Sequence, residues 1–270
     1  MAAKRTGTFP KLPFLALGLA FISAGCGDDI TGSEEFMAER SFSVGYVVTT
    51  QSKFLAVGAF GDVVVKGSTK SGEIWIEGVR RVISPYDRQD ASANLARLDA
   101  LILANQNQFS VVTRLPSDLR GREYIIDYEI TVPEGFTVAV NNITGDVSIS
   151  ATDNAVSVES FDGDVNLERI RGDITVQLAS GAIDAEVTLA TDGVVNLSTG
   201  DGNIDLAIPQ STSAEFYASA GNGMVSTGSL DVIDALGGEG TLFGTLGSGR
   251  GQITLATGNG DIALVASDLP

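Results

Sequence analysis

Apolar and polar residues alternate in short runs along most of the chain, and between residues 143 and 265 many of these runs follow a glycine. The runs that begin at Gly145, Gly163, Gly202 and Gly260 all read glycine, Asp or Asn, Val or Ile, a polar or small residue, and then Ile or Leu. Alternation with a period of two predicts a strand that buries one face. This region is therefore predicted to consist of short β-strands joined by glycine turns.

These runs recur at a nearly constant interval. The glycines that begin them return about once in every twenty positions: Gly145, Gly163, Gly181, Gly202, Gly223, Gly240 and Gly260. A second column, in which Ala155 and Ala214 replace glycine, contains Gly172, Gly193 and Gly251. Two strands per unit of about twenty residues indicate a solenoid, because one coil cannot bury its apolar face alone whereas stacked coils can. We therefore expect an all-β, single-domain parallel β-solenoid (β-helix) of about 18–21 residues per coil. An antiparallel β-sandwich is the alternative, since short strands with frequent turns also predict it.

Alternation before the repeat predicts strands at 41–50, 53–65, 73–79, 108–114 and 124–133. In the third of these, Ile74 and Ile76 share one face and Trp75 lies on the other. We expect Trp75 to pack beneath a neighbouring helix or loop, and the alternative is an exposed ring that stacks on a sugar. Leu95, Leu98, Leu101 and Ile102 recur at helical spacing, which predicts one amphipathic helix inserted near residues 90–105.

The first residues are typical of an export signal. Lys4, Arg5 and Lys11 precede an apolar run, residues 12–22, that is too short to span a bilayer. The run leads to Ser-Ala-Gly and then Cys26, the only cysteine. This arrangement resembles the lipobox of bacterial lipoproteins, which implies cleavage before Cys26 and acylation of its thiol and new N-terminus. An ordinary secretory signal is the alternative.

The predicted organisation is a signal peptide at 1–25, a lipid-anchored acidic tether at 26–40 and a β-solenoid domain at 41–270. Within that domain the N-terminal coils and helix occupy 41–135, and the regular repeats occupy 136–270. Acidic residues outnumber basic ones by 34 to 17. Because phosphate backbones and anionic lipid surfaces attract basic proteins, nucleic acid is not expected as a partner.

Catalytic residues are hard to find in this composition. Histidine is absent from the sequence, which excludes Ser-His-Asp and Cys-His catalysis and any His-ligated metal. No catalytic residue and no cofactor is predicted. Carboxylates alone support polysaccharide hydrolysis on some β-helices, so a carboxylate-dependent polysaccharide-degrading enzyme, a glycoside hydrolase or lyase, is the rival function.

Oxygen-rich turns offer a second chemistry, since Ca²⁺ prefers oxygen ligands. Their spacing differs from that of the calcium-binding nonapeptide roll, so no metal site is predicted and a calcium-binding repeat protein stays an alternative. The weak candidate ligands are Asp162, Asp164, Asp201, Asn203, Asn259 and Asp261.

Polar residues that alternate with the inward aliphatics form the third candidate. Stacked at strand spacing, they would make a flat polar surface suited to a glycan or a protein, or a solvated surface that keeps the molecule soluble. This predicted outward ladder contains Ser148, Asn166, Thr175, Asp184, Asn196 and Asp205.

The order of the features in residues 42–267 resembles a bacterial family of β-strand-repeat proteins of unknown function, named "putative adhesins" and similar to the head domains of autotransporter adhesins. Gly61-Asp62-Val63 comes first, followed by the alternating strand, one helix, a strand ending in Ile130-Thr131-Val132-Pro133, and the repeats. The resemblance implies a solenoid with an adhesin-like role.

We therefore expect an exported, lipid-anchored envelope protein that acts as a non-catalytic structural or adhesin-like binding module. Its partners would be a membrane, through the N-terminal lipid, and a glycan or another envelope protein. In a Gram-negative cell we expect the outer membrane rather than the inner one.

Overall fold

The computed structural model describes residues 35–70 and 72–267, which belong to one compact unit, Glu34–Pro270. The part described is nearly all β, with one helix, α1 at Arg88–Leu95. The first eleven strands are β1 Phe36–Val47, β2 Lys53–Val57, β3 Val63–Ser68, β4 Glu73–Ser84, β5 Asp99–Ala104, β6 Gln108–Arg114, β7 Glu123–Pro133, β8 Thr137–Asn141, β9 Val147–Ser150, β10 Val156–Asp162 and β11 Val165–Ile170. The others are β12 Ile174–Ser180, β13 Ile183–Val187, β14 Val194–Asp201, β15 Ile204–Pro209, β16 Ala214–Asn222, β17 Val225–Ser226, β18 Val232–Gly238, β19 Thr241–Leu246, β20 Gly251–Asn259 and β21 Ile262–Ser267.

These strands form two large sheets. Sheet A has the order β1-β4-β7-β3-β9-β11-β13-β15-β21-β17, and sheet B has the order β18-β19-β16-β20-β14-β12-β10-β8-β2-β6-β5. All central pairs are parallel, and antiparallel pairs occur only among β1, β4 and β7, between β5 and β6, and among β16, β19 and β18 in the part of the chain described. The antiparallel sandwich is therefore wrong for this chain, because its sheets are mostly parallel.

The sequence repeat is visible in the register of the central strands. In sheet A, Val147 pairs with Val165, which pairs with Ile183, and both steps equal the interval between Gly145 and Gly163 in the sequence. In sheet B, the pairing of Val156 with Ile174 covers the same interval. Each repeat thus contributes one strand to each sheet.

The core lies between the two sheets. From Val147 to Leu264, every inward Val, Ile or Leu of sheet A's central strands is almost inaccessible, and those of sheet B match them. Leu167 and Val176, for example, are each 1% exposed. Burial of each such side chain contributes about 1.5–3 kcal/mol relative to an exposed one, so the inward alternation predicted from the sequence holds the sheets together.

Glycine is required where the repeats stack most closely. Gly163 has a φ of 127°, and a Cβ placed on it would lie 2.3 Å from the carbonyl oxygen of Gly145. A side chain at this position would clash with the backbone of the preceding repeat, and L-residues resist this φ. The glycine column therefore permits the approach of successive repeats.

The order of the stack differs from the order of the sequence. β20 and β21 lie between β14 and β15 on one side and β16 and β17 on the other. At the opposite end, β2 and β3 lie between β6 and β7 on one side and β8 and β9 on the other. Gly260 consequently precedes Gly223 in the column, and Gly240 lies outside it, in the turn between β18 and β19.

The predicted helix at 90–105 is shorter in the structure. Asp87 caps α1 by accepting a hydrogen bond from the backbone N–H of Asp90 at 2.7 Å, and the helix ends at Leu95. Residues 99–104 form β5, which pairs antiparallel with β6. Leu98, Leu101 and Ile102 fit a helical period, but Leu98, Ala100 and Ile102 alternate with exposed residues at a period of two, and pairing with β6 satisfies the backbone as a strand.

The last residues of the predicted tether at 26–40 belong to a strand in the structure. β1 begins at Phe36 and pairs with β4 along its whole length, so residues 36–40 belong to sheet A. The predicted signal peptide at 1–25, Cys26 and the rest of the predicted tether up to residue 34 lie outside the described residues.

Candidate binding surfaces

The predicted outward ladder lies on two faces of the molecule. In sheet A, Ser148, Asn166, Asp184 and Asp205 are successive register partners on β9, β11, β13 and β15. Thr175 and Asn196 are partners on β12 and β14 of sheet B. All six alternate with buried residues and point outward, as predicted. They form two polar rows, because each repeat contributes one strand to each sheet.

Asp184 and Asp205 give the row on sheet A an acidic section. They are neighbours on parallel strands, about 4.8 Å apart at the backbone. Partial burial raises the pKa of Asp205 above its ordinary value of 3.8, and the adjacent charge of Asp184 raises it further. Asp205 therefore gains a proton more readily than an isolated aspartate as the pH falls.

A different set of carboxylates holds the corners of the repeats together. The side-chain Oδ1 atoms of Asp146 and Asp164 accept hydrogen bonds from the backbone N–H groups of Asp164 and Ala182, at 2.9 and 2.8 Å. Asp62 Oδ1 accepts in the same way from the backbone N–H of Asp146. Further along the stack, Asn203 Oδ1 accepts from the N–H of Asp261, and Asp261 Oδ1 accepts from the N–H of Met224. Each bond joins one repeat to the next. In every one of these bonds the donor lies in the neighbouring repeat rather than in the same turn.

The weak calcium candidates fall into two rows, one on each side of the glycine column. Asp164, Asn203 and Asp261 belong to the corner row just described, where one side-chain oxygen of each binds a backbone N–H group. In the other row, which also contains Asp162, the amide of Asn259 donates to Asp201 and its oxygen accepts from Asn222. Within residues 35–70 and 72–267, no three His, Cys, Asp or Glu side chains are grouped so as to hold a metal ion.

Trp75 lies on the outer face of sheet A. Its ring lies against Gly45, its register partner on β1, since a Cβ on Gly45 would be 3.1 Å from three carbons of the indole. The indole Nε1 donates to Glu73 Oε2 at 3.2 Å, and 47% of the residue is exposed. The expectation that a helix or loop covers Trp75 is therefore wrong, because the backbone of Gly45 supplies the packing from below.

Residues 64–265 match the family model described as Toastrack DUF4097. The chain belongs to this Toastrack family. The resemblance inferred from the order of the sequence motifs is thereby confirmed. No curated protein matches the chain.

Among solved structures, this Toastrack chain is similar to a "putative cell adhesion protein" from Clostridium sporogenes. The two share 12% identity and a TM-score of 0.48 over 84% of this chain and 100% of the other. It is also similar to a "putative adhesin" from Bacteroides fragilis, with 13% identity and a TM-score of 0.28 over 84% of this chain and 97% of the other.

This Toastrack chain has a cleft of about 750 Å³ beside β7, which the sequence patterns do not reveal. Leu115, Leu119 and Tyr124 line it together with Arg81 and Arg122. Both arginines are engaged, Arg81 with Asp127 at 3.1 Å and Arg122 with Asp90 at 2.6 Å. Asp90 also accepts a hydrogen bond from Ser84 Oγ. These bonds fix the wall of the cleft: they join α1 to β4 and to Arg122, the residue before β7, and they join β4 to β7.

The prediction of membrane attachment rests on residues outside the described part of this Toastrack chain. Cys26 lies there, and the lipid anchor stays a prediction. In the residues that the structure describes, no helix is long and apolar enough to cross a membrane.

Proposed function

We propose that this chain is a lipid-anchored protein of the bacterial cell envelope that acts as a non-catalytic structural or adhesin-like binding module. Its central part would be a β-solenoid with one coil for each sequence repeat. A signal peptide at 1–25 would direct export, Cys26 would carry the lipid, and a short acidic tether would join it to the domain that begins at β1. Membership of the Toastrack family and the resemblance to adhesin-like repeat proteins support this proposal.

The use of the corner carboxylates is the observation that carries the proposal. Asp62, Asp146 and Asp164 each bind a backbone N–H group of the next repeat, at 2.8–3.0 Å. A carboxylate in this position stabilises the stack, and its repetition along the corner fits a structural use of the acidic residues. The outward rows of the two sheets are then the extended polar surfaces that a partner would contact.

Co-sedimentation of the full chain with a panel of insoluble envelope and extracellular polysaccharides, and with envelope protein fractions, tests this function. Two double variants separate the faces: Asn166→Ala with Asp184→Ala on sheet A, and Thr175→Ala with Asn196→Ala on sheet B. Each is the matched control for the other, because each removes two outward polar side chains from adjacent strands. Loss of binding in one variant alone would locate the partner on that face. If the chain binds nothing in the panel or the fractions, the proposal of a binding module is wrong.

A polysaccharide-degrading enzyme is the second candidate, and the Asp184–Asp205 pair favours it. In many glycosidases, one of two neighbouring carboxyl groups has a raised pKa and acts as the acid, while the other stays ionised. The raised pKa of Asp205 beside Asp184 fits this arrangement. The release of new reducing ends, measured in the same tubes as co-sedimentation, tests it. New reducing ends that disappear in Asp205→Asn and persist in Asp164→Asn would establish catalysis at this pair. Their absence with every polysaccharide that binds would count against the enzyme.

A further inference from the structure

The open face of Trp75 lies between two carboxylates. Glu73 and Glu77 are two residues before and after Trp75 on β4, so all three side chains extend from the same face of sheet A. All three residues are exposed. Gly45 lies beneath one side of the indole and 47% of Trp75 is exposed, so the other side is open to solvent.

Local hydrogen bonds fix this arrangement but leave its charge in place. Glu73 uses Oε2 to accept from the indole Nε1 at 3.2 Å, and Glu77 uses Oε1 to accept from Ser43 Oγ at 2.8 Å. Each carboxylate keeps a second oxygen that neither bond uses. The indole is therefore held flat, with negative charge on two sides of it.

No side chain of the same face neutralises these carboxylates in the part of the chain that the structure describes. Lys66 lies two strands away from Trp75 and is paired with Glu129 at 2.6 Å. Among the described residues, neither Glu73 nor Glu77 forms an ion pair with a lysine or arginine. The whole chain carries a formal net charge of −17, which adds a long-range attraction for cations.

We propose that Trp75, Glu73 and Glu77 form a binding site for an alkylammonium cation. The negative face of an indole attracts such a cation when it lies within about 6 Å of the ring. The two carboxylates add direct charge attraction from the sides. A sugar would also stack on an open indole, but the unpaired charge on both sides favours a cation.

This inference deepens the proposed binding function and rests on it, because it names the chemistry of the partner. The ammonium group would belong to a lysine side chain of an envelope protein, because a primary ammonium can donate hydrogen bonds to the unused oxygens of Glu73 and Glu77. A choline headgroup carries no N–H, and small model compounds distinguish it from lysine.

Intrinsic fluorescence measures this site directly, because Trp75 is the only tryptophan in the chain. The full chain, in a polyoxyethylene detergent and at constant ionic strength, would be titrated with choline and with n-butylammonium as a model of the lysine side chain. We expect a saturable change in Trp75 emission at a lower concentration of n-butylammonium than of choline. The neutral isostere 3,3-dimethyl-1-butanol should cause none. A stronger response to choline would contradict a lysine partner and indicate a choline headgroup.

Variants separate charge from stacking. The double variant Glu73→Gln with Glu77→Gln should raise the cation concentration at half-saturation about threefold or more, because two charge attractions are lost. Glu168→Gln, an exposed position on β11 of the same sheet, is the control and should leave the titration unchanged. Gly45→Thr keeps both carboxylates and places atoms beneath the ring, so it should also weaken binding.

Three results would overturn the site: no response to either cation, an equal response to the neutral isostere or to simple sugars, or an unchanged titration in the double glutamine variant. Co-sedimentation with polymers or protein fractions is a separate measurement. A protein that binds those but not alkylammonium compounds would keep the proposed function and lose only this site.

Discussion

Ile204 of β15 pairs in parallel register with Ile262 of β21, although five strands separate them in the sequence, and Ile262 pairs in turn with Val225 of β17. The strands β20 and β21 are thus inserted between repeats that precede them in sequence. Each of the two strands therefore has hydrogen-bonded neighbours on both sides, as a strand at the centre of a sheet does.

The inserted C-terminal strands should therefore be as important for stability as the centre of the stack. Leu255 in β20 and Leu197 in β14 are register partners and are 0% and 1% exposed. We expect Leu255→Ala and Leu197→Ala each to lower the free energy of unfolding by about 2–5 kcal/mol in urea titrations. Leu242→Ala, in the half-buried β19, should cost less. A cost below about 1 kcal/mol for Leu255→Ala would show that β20 is not held between its neighbours.

Sequence reasoning could not find this insertion, and the reason is physical. The repeats that begin at Gly202, Gly223 and Gly260 have similar alternation and similar turns, so each is compatible with any of the others as a neighbour. What the sequence determines locally was predictable: β6 occupies residues 108–114 as expected, and the inward and outward positions of the repeat are correct.

In the candidate surfaces too, the local pattern was predictable from the sequence and the pairing of distant strands was not. The pattern places Trp75 opposite the buried Ile74 and Ile76, as the structure confirms. That Gly45 rather than a helix or loop lies against the ring depends on the pairing of β1 with β4, which joins distant parts of the chain. The division of the outward ladder between two sheets likewise depends on which strand of each repeat enters which sheet.

Inward and outward positions of one strand should respond differently to the same charge. Val165 is 1% exposed, whereas its neighbour Asn166 is exposed. Val165→Asp buries an unpaired carboxylate and should destabilise the protein by about 3 kcal/mol or more, but Asn166→Asp should cost less than about 1 kcal/mol. Chemical denaturation measures both values. Equal effects would contradict the inward and outward assignment.

The glycine column should not tolerate even a methyl group. Gly163→Ala would place a Cβ 2.3 Å from the Gly145 carbonyl oxygen in a backbone with a φ of 127°, so we expect a loss of at least about 1–3 kcal/mol from the free energy of unfolding. Gly135→Ala is the matched control, because no atom lies within 4 Å of the Cβ that it adds. The control should be neutral or slightly stabilising in the same denaturation assay. A neutral Gly163→Ala would show that the repeats do not approach so closely.

Removal of the proposed lipid acceptor should detach the protein from the membrane. Cys26 is the only cysteine, so Cys26→Ser removes the only thiol available for acylation. We expect the variant in the soluble fraction after cell lysis, whereas the unchanged chain sediments with membranes. Ser33→Ala, a change in the predicted tether that keeps Cys26, serves as the control. If Cys26→Ser still sediments with membranes, the attachment has another origin.

The pairing of Asp90 with Arg122 should make stability depend on pH in the acid range. Hydrogen bonds from Arg122 and then from Ser84 lower the pKa of Asp90 from 3.8 to about 2. A carboxyl whose pKa is lower in the folded state stabilises the fold above its unfolded pKa. That contribution is lost as the pH falls from about 4 to about 2, because the unfolded chain takes up the proton first. Asp90→Asn should therefore be less stable than the unchanged chain at pH 7, and the difference in thermal melts should shrink below about pH 4 and disappear only below about pH 2. Asp118→Asn removes a carboxylate that is paired with Arg120 on an exposed surface, and it should change stability little at any pH. A difference for Asp90→Asn that stays constant from pH 7 to pH 2 would mean that charge in the ion pair does not stabilise the contact between α1 and Arg122.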